Sequence, residues 1–557
     1  MSRLNDVLRF EVIRGELLGV ADEMAVRFAR SSFSPVIRDY LDFSTAVCDR
    51  QGRVVAQGFS LPLHLGAIPS AMTAVIDAFP AGLARGDLVV LNDPYAGGMH
   101  LPDIFVVSPA FHGEILIGYS IVVAHHVDIG GRVPGGSAAD SREIFEEGLR
   151  LPPILLQAGG RSNSALEQVI RANVRLPDML WQDLEAQRAG CVTGAAAVVG
   201  VVERYGLDVY QGTIESMIDH GRLGVRTAIG SWPDGTYEFE DVEDHDGLED
   251  RPVPIHVRVD IAQDRIAFDF TGTAKQVPGS INSTLSFTES ACYAAVRSLC
   301  TDDIPVNAGF IEPIEVTAPE GTVVNARFPA GVAARGVIGY RIIETIFGAL
   351  ADALPSQVPA AGDGGTSGVR IGGYDDDGHR YQFNDLVCGA WGARPDQDGI
   401  DGAAGMAANV ANRSIEALER EDPVLVHEYG FVDDSGGAGT YRGGLAIRRA
   451  VELRAPEGTL NLRTHRNATP PYGLRGGLPG HTSSTFLIRD GKRLALPAKV
   501  TRALQRGDVI EHTTASGGGV GPPVGRDPAR LRDDIRDGKI SEASAATVYG
   551  FGGGDPG

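Results

Sequence analysis

Cysteine is scarce in this 557-residue chain. Cys48, Cys191, Cys292, Cys300 and Cys388 are odd in number, scattered, and form no CxxC. That excludes a disulfide framework and points to a reducing, cytoplasmic setting. Long apolar runs are missing too, so nothing reads as a membrane span. The opening stretch carries acidic residues throughout and no continuous apolar core, so it is not read as a signal peptide. Positive charge is the other deficit: 50 Lys and Arg face 72 Asp and Glu, a formal net charge of −22. Such a surface repels phosphate backbones and argues against nucleic acid as a partner. No GxxxxGK[ST] phosphate loop, GxSxG nucleophile elbow or HExxH motif occurs.

What is present is glycine, 72 residues set among apolar strands. This predicts many turns and close backbone approaches, not disorder. Apolar positions Leu4, Val7, Leu8, Ile13, Leu17, Val20, Met24 and Phe28 recur at helical spacing and predict an amphipathic helix packed on the body. "YLDFSTAVCDRQGRVVAQG" reads as strand, turn, strand, "LGAIPSAMTAVIDAF" as a helix, and "GDLVVLNDPYAGG" as a buried strand. A long helical stretch starting near Ser164 is punctuated at Pro177 and Gly190. From about residue 230, half-buried alternating strands dominate, with helices at "ESACYAAVRSLC", "RIIETIFGALADALP" and "NVANRSIEALERED". Hairpins are expected at "GVRIGGYDDDGHRYQF", "LAIRRAVELRAPEGTLNLRT" and "STFLIRDGKRLALP". The Gly-rich "ASGGGVGPPVG" and "DSGGAGTYRGG" read as packed loops, since no GK follows either. Interleaved elements without a clean boundary predict an α+β fold: one large multilayered unit over 1–557 with mainly antiparallel and mixed sheets. Within it, 1–225, 226–330 and 331–557 differ in composition of elements.

The chemistry concentrates in "GGMHLPDIFVVSPAFHGEILIGYSIVVAHHVD". Two β-rich runs flank a tight turn at His112–Glu114, which pairs residues whose numbers sum to about 226–228. Asp103 then lies opposite residues 123–125, and His100 and Asp103 meet His125 and His126 across one strand spacing, with Asp93 and Asp128 in nearby loops. Imidazole and carboxylate collected this way suit Zn, Mn or Fe. The same residues also fit turn-capping aspartates, a satisfied core His125 and a surface His126.

The motifs "LNDPYAGGMHLPDIFVVSPAF", "HHVDIGG", "DSREIFEEGLRLPP", "NVRLPDMLWQDL", "DSGGAGTYRGGLAIRR" and "GGGVGPPVGRDPARLRDDIRDGKIS" stand in order along nearly the whole chain. Together they resemble the hydantoinase B / 5-oxoprolinase family. The resemblance implies a divalent metal, Zn or Mn, held by Asp42, His100, Asp103 and His125, with Asp39 a competitor for Asp42 and Asp93 a ligand or supporting partner. His126 is disfavoured as a ligand because adjacent strand residues face opposite ways; His126 and Asp128 are read as catalytic. The resemblance further implies one subunit of a hetero-oligomer. ATP and Mg act through a hydantoinase A-like ATP-binding subunit that activates a cyclic amide by phosphorylating its oxygen, and water activated at the metal then opens the ring. The alternative within the resemblance is a subunit of an ATP-dependent acetone- or acetophenone-type carboxylase.

Overall fold

The computed structural model describes residues 2–58, 61–64, 66–301, 303–408 and 410–551. The chain begins with α1 (Ser2–Ser31) and the one-turn α2 (Pro35–Arg38). There follow β1 (Phe43–Asp49), β2 (Val54–Gln57), α3 (Ala67–Ala78), β3 (Leu88–Leu91), β4 (Asp103–His112), β5 (Ile115–His125), β6 (Ile154–Ala158) and β7 (Arg161–Ser162). These strands form one antiparallel sheet in the order β2-β1-β5-β4-β3-β6-β7. Helices α4 (Ser164–Asn173), α5 (Pro177–Tyr205) and α6 (Leu207–Gly230) complete this half.

β4 and β5 are the expected hairpin. They turn through Gly113 and Glu114, with Gly113 at φ +58°, a conformation glycine adopts without steric cost. Pairing runs from Asp103↔His125 to His112↔Ile115, with an irregularity between Ala110 and Phe111. The strands are apolar almost throughout because both faces are covered. Ile104, Val106, Val122 and Ala124 pack with Met24 and Phe28 of α1 and Leu184 of α5. Phe105, Val107, Ile121 and Val123 pack the other way, into a core shared with later elements.

Gly190 does not punctuate the helix as expected, since α5 runs unbroken through it. Its neighbour Gly194 shows why glycine sits here: a Cβ on Gly194 would lie 2.2 Å from Met24 Sδ, so the bare backbone lets α1 approach α5.

The second sheet, in the order β11-β10-β9-β8, is built from β8 (Gly235–Glu243), β9 (Val253–Ala262), β10 (Arg265–Asp269) and β11 (Ile314–Thr317). With it come α7 (Leu285–Leu299), α8 (Ala308–Ile311) and α9 (Gly336–Leu350). Phe287 of α7 and Ile338, Ile342 and Ile346 of α9 share one core with both sheets.

Beyond α9 lie β12 (Ser367–Tyr374), β13 (Arg380–Val387), α10 (Ile415–Glu421), β14 (Val424–Phe431), β15 (Ile447–Leu453), β16 (Glu457–Arg463), β17 (Ser484–Arg489), β18 (Lys492–Leu496), β19 (Lys499–Gln505) and β20 (Val509–Thr513). They form two facing sheets, β13-β12-β16-β19 and β14-β15-β20-β17-β18. Val369, Ile371, Leu460 and Leu462 of one meet Val451, Leu453, Leu487 and Ile510 of the other. The hairpin expected over "LAIRRAVELRAPEGTLNLRT" is therefore absent. β15 and β16 belong to different sheets, and the short link between them carries the chain across the sandwich. The two Gly-rich segments are packed loops, as expected. Gly437 donates to Gly517 O at 2.8 Å, and a Cβ on Gly443 would lie 1.9 Å from that oxygen. The tail ends in α11 (Pro528–Arg536) and α12 (Glu542–Thr547), joined through Gly538 at φ +70°. The four sheets with interleaved helices make an α+β fold. Among the described residues no helix is long and apolar enough to cross a membrane.

A buried charge network ties the sandwich to the second sheet. Lys499 Nζ lies 2.7 Å from Glu243 Oε1, Arg341 Nη2 3.1 Å from Glu243 Oε2, and Arg466 Nη2 2.9 Å from Asp241 Oδ2. Arg341 and Arg466 also pair with Glu344. Three cations thus meet three carboxylates. Breaking one such pair leaves an uncompensated charge at a cost of about 3–5 kcal/mol. Glu243→Gln is accordingly expected to destabilise the chain by that order in chemical denaturation, and the double variant Glu243→Leu/Lys499→Met by clearly less. Equal losses in both would contradict this account.

Candidate metal centre

Three neighbouring strands bring their site residues to one end of the first sheet. Asp42 immediately precedes β1, His125 ends β5 and Asp103 begins β4. His125 N donates to Asp42 O at 3.0 Å, continuing the Phe43↔Ala124 register, and Asp103 pairs directly with His125. Alternation then decides direction. Asp103 and His125 share the face of Phe105 and Val123, toward α7 and α9. Leu41, just before Asp42, holds φ +58°, a strained backbone for a non-glycine residue. His100 arrives from the turn before β4, where Asp103 N donates to His100 O at 3.0 Å.

The result is a compact polar cluster. One ligand-competent atom from each of His100, Asp103 and His125 lies within 4.8 Å of the others, and all three residues are buried. His125 Nδ1 is 3.2 Å from Asp103 Oδ1 and 3.9 Å from Asp42 Oδ2. His100 Nδ1 is 2.8 Å from Asp103 Oδ2, yet it makes no hydrogen bond among the described residues. Arg335, at the start of α9, bonds Asp103 Oδ2 and stacks 4.2 Å over the Phe287 ring.

Burial, and then the Arg335 charge, push His100 well below the usual imidazole range, so it is neutral with a lone pair to offer. Burial alone would raise Asp103, but the Arg335 guanidinium bonded to it holds its carboxyl well below the usual range. A neutral imidazole with an orphaned nitrogen beside an ionised carboxylate is the donor chemistry that Zn or Mn takes. The residues present fit such an ion.

The cluster lines a cavity of ≈70 Å³, with room for more than one water-sized group. Its walls include Asp42, His64, Leu61, Leu63, Phe287, Tyr340 and Leu386. From the sandwich come Arg370 of β12 and Arg463 of β16. Arg335, Arg370, Arg463 and His64 were not singled out from the sequence. His64 carries no motif, but its Nδ1 lies 2.8 Å from Ser44 Oγ inside the site wall.

The other expected residues lie elsewhere. His126 is buried on the opposite face, where its Nε2 lies 2.9 Å from Gln187 Oε1. The Gln187 amide nitrogen donates to Ile104 O and Val122 O, so its oxygen accepts from His126 and fixes the Nε2–H tautomer. His126 is thus neither a surface residue nor a neighbour of the cluster. Asp128 accepts from Arg175 N at 2.5 Å and pairs with Arg175 Nη1 at 3.1 Å, clamping two loops. Asp93 caps its own turn through Tyr95 N. Asp39 pairs with Arg38 and Arg413. The catalytic roles expected of His126 and Asp128 find no support in these placements.

Comparison with known proteins gives a consistent set of relatives. The model of the hydantoinase B/oxoprolinase family matches residues 6–523. One subunit of a putative D-/L-hydantoinase from Pseudomonas sp. (strain NS671) is 32% identical, covering 98% of this chain and 95% of that protein. The crystal structure of the ATP-dependent caprolactamase from Pseudomonas jessenii superposes with a TM-score of 0.92 at 27% identity, over 98% of this chain and 97% of that one. A nucleotide-free acetone carboxylase shares the fold, with a TM-score of 0.91 at 19% identity over 98% of this chain and 80% of that one.

Metal analysis checks the cluster residue by residue. Asp103→Asn and His100→Ala are expected to cost more metal affinity than the roughly 10–100-fold that losing an outer partner costs, and Arg335→Met about that smaller amount. His126→Ala is expected to keep its metal. Full occupancy in Asp103→Asn would refute the ligand set.

Proposed function

The chain belongs to the hydantoinase B/oxoprolinase family, and from that premise we propose that it is the metal-bearing catalytic subunit of an ATP-dependent cyclic-amide hydrolase. The observation that carries the reading is the buried convergence of His100, Asp103 and His125, with Asp42 beside them, on one cavity. Support for the reaction class comes from relatives whose names specify hydantoinase and caprolactamase subunits. The sequence carries no phosphate-loop motif. In this reading ATP and Mg therefore bind a hydantoinase A-like partner, and the two chains form a hetero-oligomer. All five cysteines are buried, and Cys48, Cys191, Cys292 and Cys388 form no disulfide, which suits a cytoplasmic location.

An unstrained amide resists hydrolysis because resonance stabilises it. Phosphorylation of its oxygen by the partner removes that resonance. Water adds to the ring carbon, and the C–N bond breaks as the nitrogen takes a proton. A second water releases phosphate from the resulting acyl phosphate to leave a carboxylate. Zn or Mn held by Asp42, His100, Asp103 and His125 supplies a Lewis acid that polarises the reacting carbon's oxygen substituent and acidifies water. The chain's own groups do the rest. Arg335 holds Asp103 ionised and oriented, so the carboxylate faces the two imidazoles. Leu61, Leu63, Phe287 and Leu386 narrow the cavity and limit bulk water. Gln187, by anchoring His126 to α5, keeps the preceding His125 turned toward the cluster. His126 and Asp128 act here as positioning residues.

The test is an assay of the chain with its co-purified partner, Mg-ATP and either a lactam or a ketone with bicarbonate. Ring opening coupled to ATP consumption is expected, with kcat lowered more than roughly 100-fold in His100→Ala. Carboxylation of the ketone without ring opening would move the assignment to the carboxylase alternative.

A further inference from the structure

The buried network between the second sheet and the sandwich matches three cations with three carboxylates. The cavity beside the candidate metal centre does not balance in this way. Its lining holds three guanidinium groups, Arg335, Arg370 and Arg463, against two carboxylates, Asp42 and Asp103. Arg335 pairs with Asp103 through its Nη2. Arg370 and Arg463 are 3% and 8% exposed. Among the described residues, Arg370 Nε and Nη1 and Arg463 Nε are buried and make no hydrogen bond. Asp42 acts electrostatically on both, yet bonds neither among the described residues. Burial, with the Arg463 charge added, brings Arg370 down to about 9, a large departure for a guanidinium.

The row these arginines stand in is polar by construction. Alternation along β12 and β16 sends Val369, Ile371, Leu460 and Leu462 into the sandwich core. Arg370, Asn461 and Arg463 take the intervening positions, and Asn384 of β13 pairs with Arg370. Asn461 Nδ2 and Oδ1 and Asn384 Oδ1 also lack partners. Leaving two arginines buried and unpaired is costly unless something bound repays it. A divalent cation at the neighbouring cluster would make the cavity still more positive.

We propose that Arg370 and Arg463 form an oxyanion-binding subsite that receives a phosphoryl or carboxylate group carried by the substrate, facing the candidate metal centre. This rests on the reading of the cavity as the substrate site. Two planar guanidinium forks suit oxyanions, which accept several charge-assisted hydrogen bonds at once. Two sources share that chemistry: the phosphoryl group of an amide activated by ATP, and an acid group belonging to the substrate itself.

Calorimetric titration of the full chain separates them. The probes are inorganic phosphate, 2-pyrrolidone-5-carboxylate, and uncharged 2-pyrrolidone as control. At least one oxyanion is expected to bind more tightly than the uncharged ring. Binding should weaken roughly 10-fold or more in Arg370→Gln and Arg463→Gln, with metal content unchanged. Tighter phosphate binding assigns the phosphoryl source, and tighter carboxylate binding the acid group. Since neither arginine bonds a protein group among the described residues, Arg370→Met and Arg463→Met should hold or raise the melting temperature. Oxyanion binding that is absent, or unaltered in both Gln variants, overturns the proposal, as does a lowered melting temperature in both Met variants. No readout needs turnover, so failure of ring opening with oxyanion binding intact would reject the lactam reading and leave the subsite standing.

Discussion

Antiparallel register at the centre of the first sheet is the constraint on which the site depends. Asp103 opposite His125, and Asp42 beside it on the next strand, follow from the pairing of β4, β5 and β1. A slip of one residue would turn Asp103 and His125 toward α5 and present His126 to the cavity instead. The slip is disfavoured because both faces of the hairpin are packed, Ile104 and Val106 against the helices, Phe105 and Val107 against the shared core. Gln187 adds a polar lock, bonding both strands and His126 together. Packing energy spread over the whole sheet thereby fixes the placement of a few polar atoms at its end.

Charge organises the next level. The fold buries many ionised groups, and where the role is architectural they pair off, as Arg341, Arg466 and Lys499 do with Asp241, Glu243 and Glu344. Beside the candidate metal centre the balance fails, and it fails in favour of positive charge. A cavity that combines ligand-competent imidazoles with surplus guanidinium groups is suited to a small anionic substrate near a cation. That matches a reaction in which an amide arrives carrying charge, and it explains why a polar face of the sandwich is turned inward.

Much of this was readable in the residues. The turn at Gly113, the pairing of Asp103 with His125 and the divergence of His125 from His126 follow from period-two alternation and a short loop. Other parts were not readable, for physical reasons. "GVRIGG" and "NLRT" alternate as a half-exposed strand does, and only the docking of the sandwich on the first body buries Arg370 and Arg463. β15 and β16 carry the local pattern of a hairpin, and the same pattern serves a strand that changes sheets. Arg335 sits before a helix with no motif around it. α5 runs unbroken through Gly190 because one glycine costs a helix only about 1 kcal/mol, which a long packed helix absorbs. Asp128 and Asp93 have the chemistry of ligands and stand near the cluster in sequence, but each is consumed by backbone and arginine contacts.

The central claim concerns donors converging on one cation, and X-ray absorption spectroscopy of the metal in the as-isolated full chain addresses it directly. The account predicts scattering from two imidazoles with the remaining nearest neighbours oxygen, and no sulfur. A sulfur shell, or a spectrum lacking imidazole scattering, would contradict it.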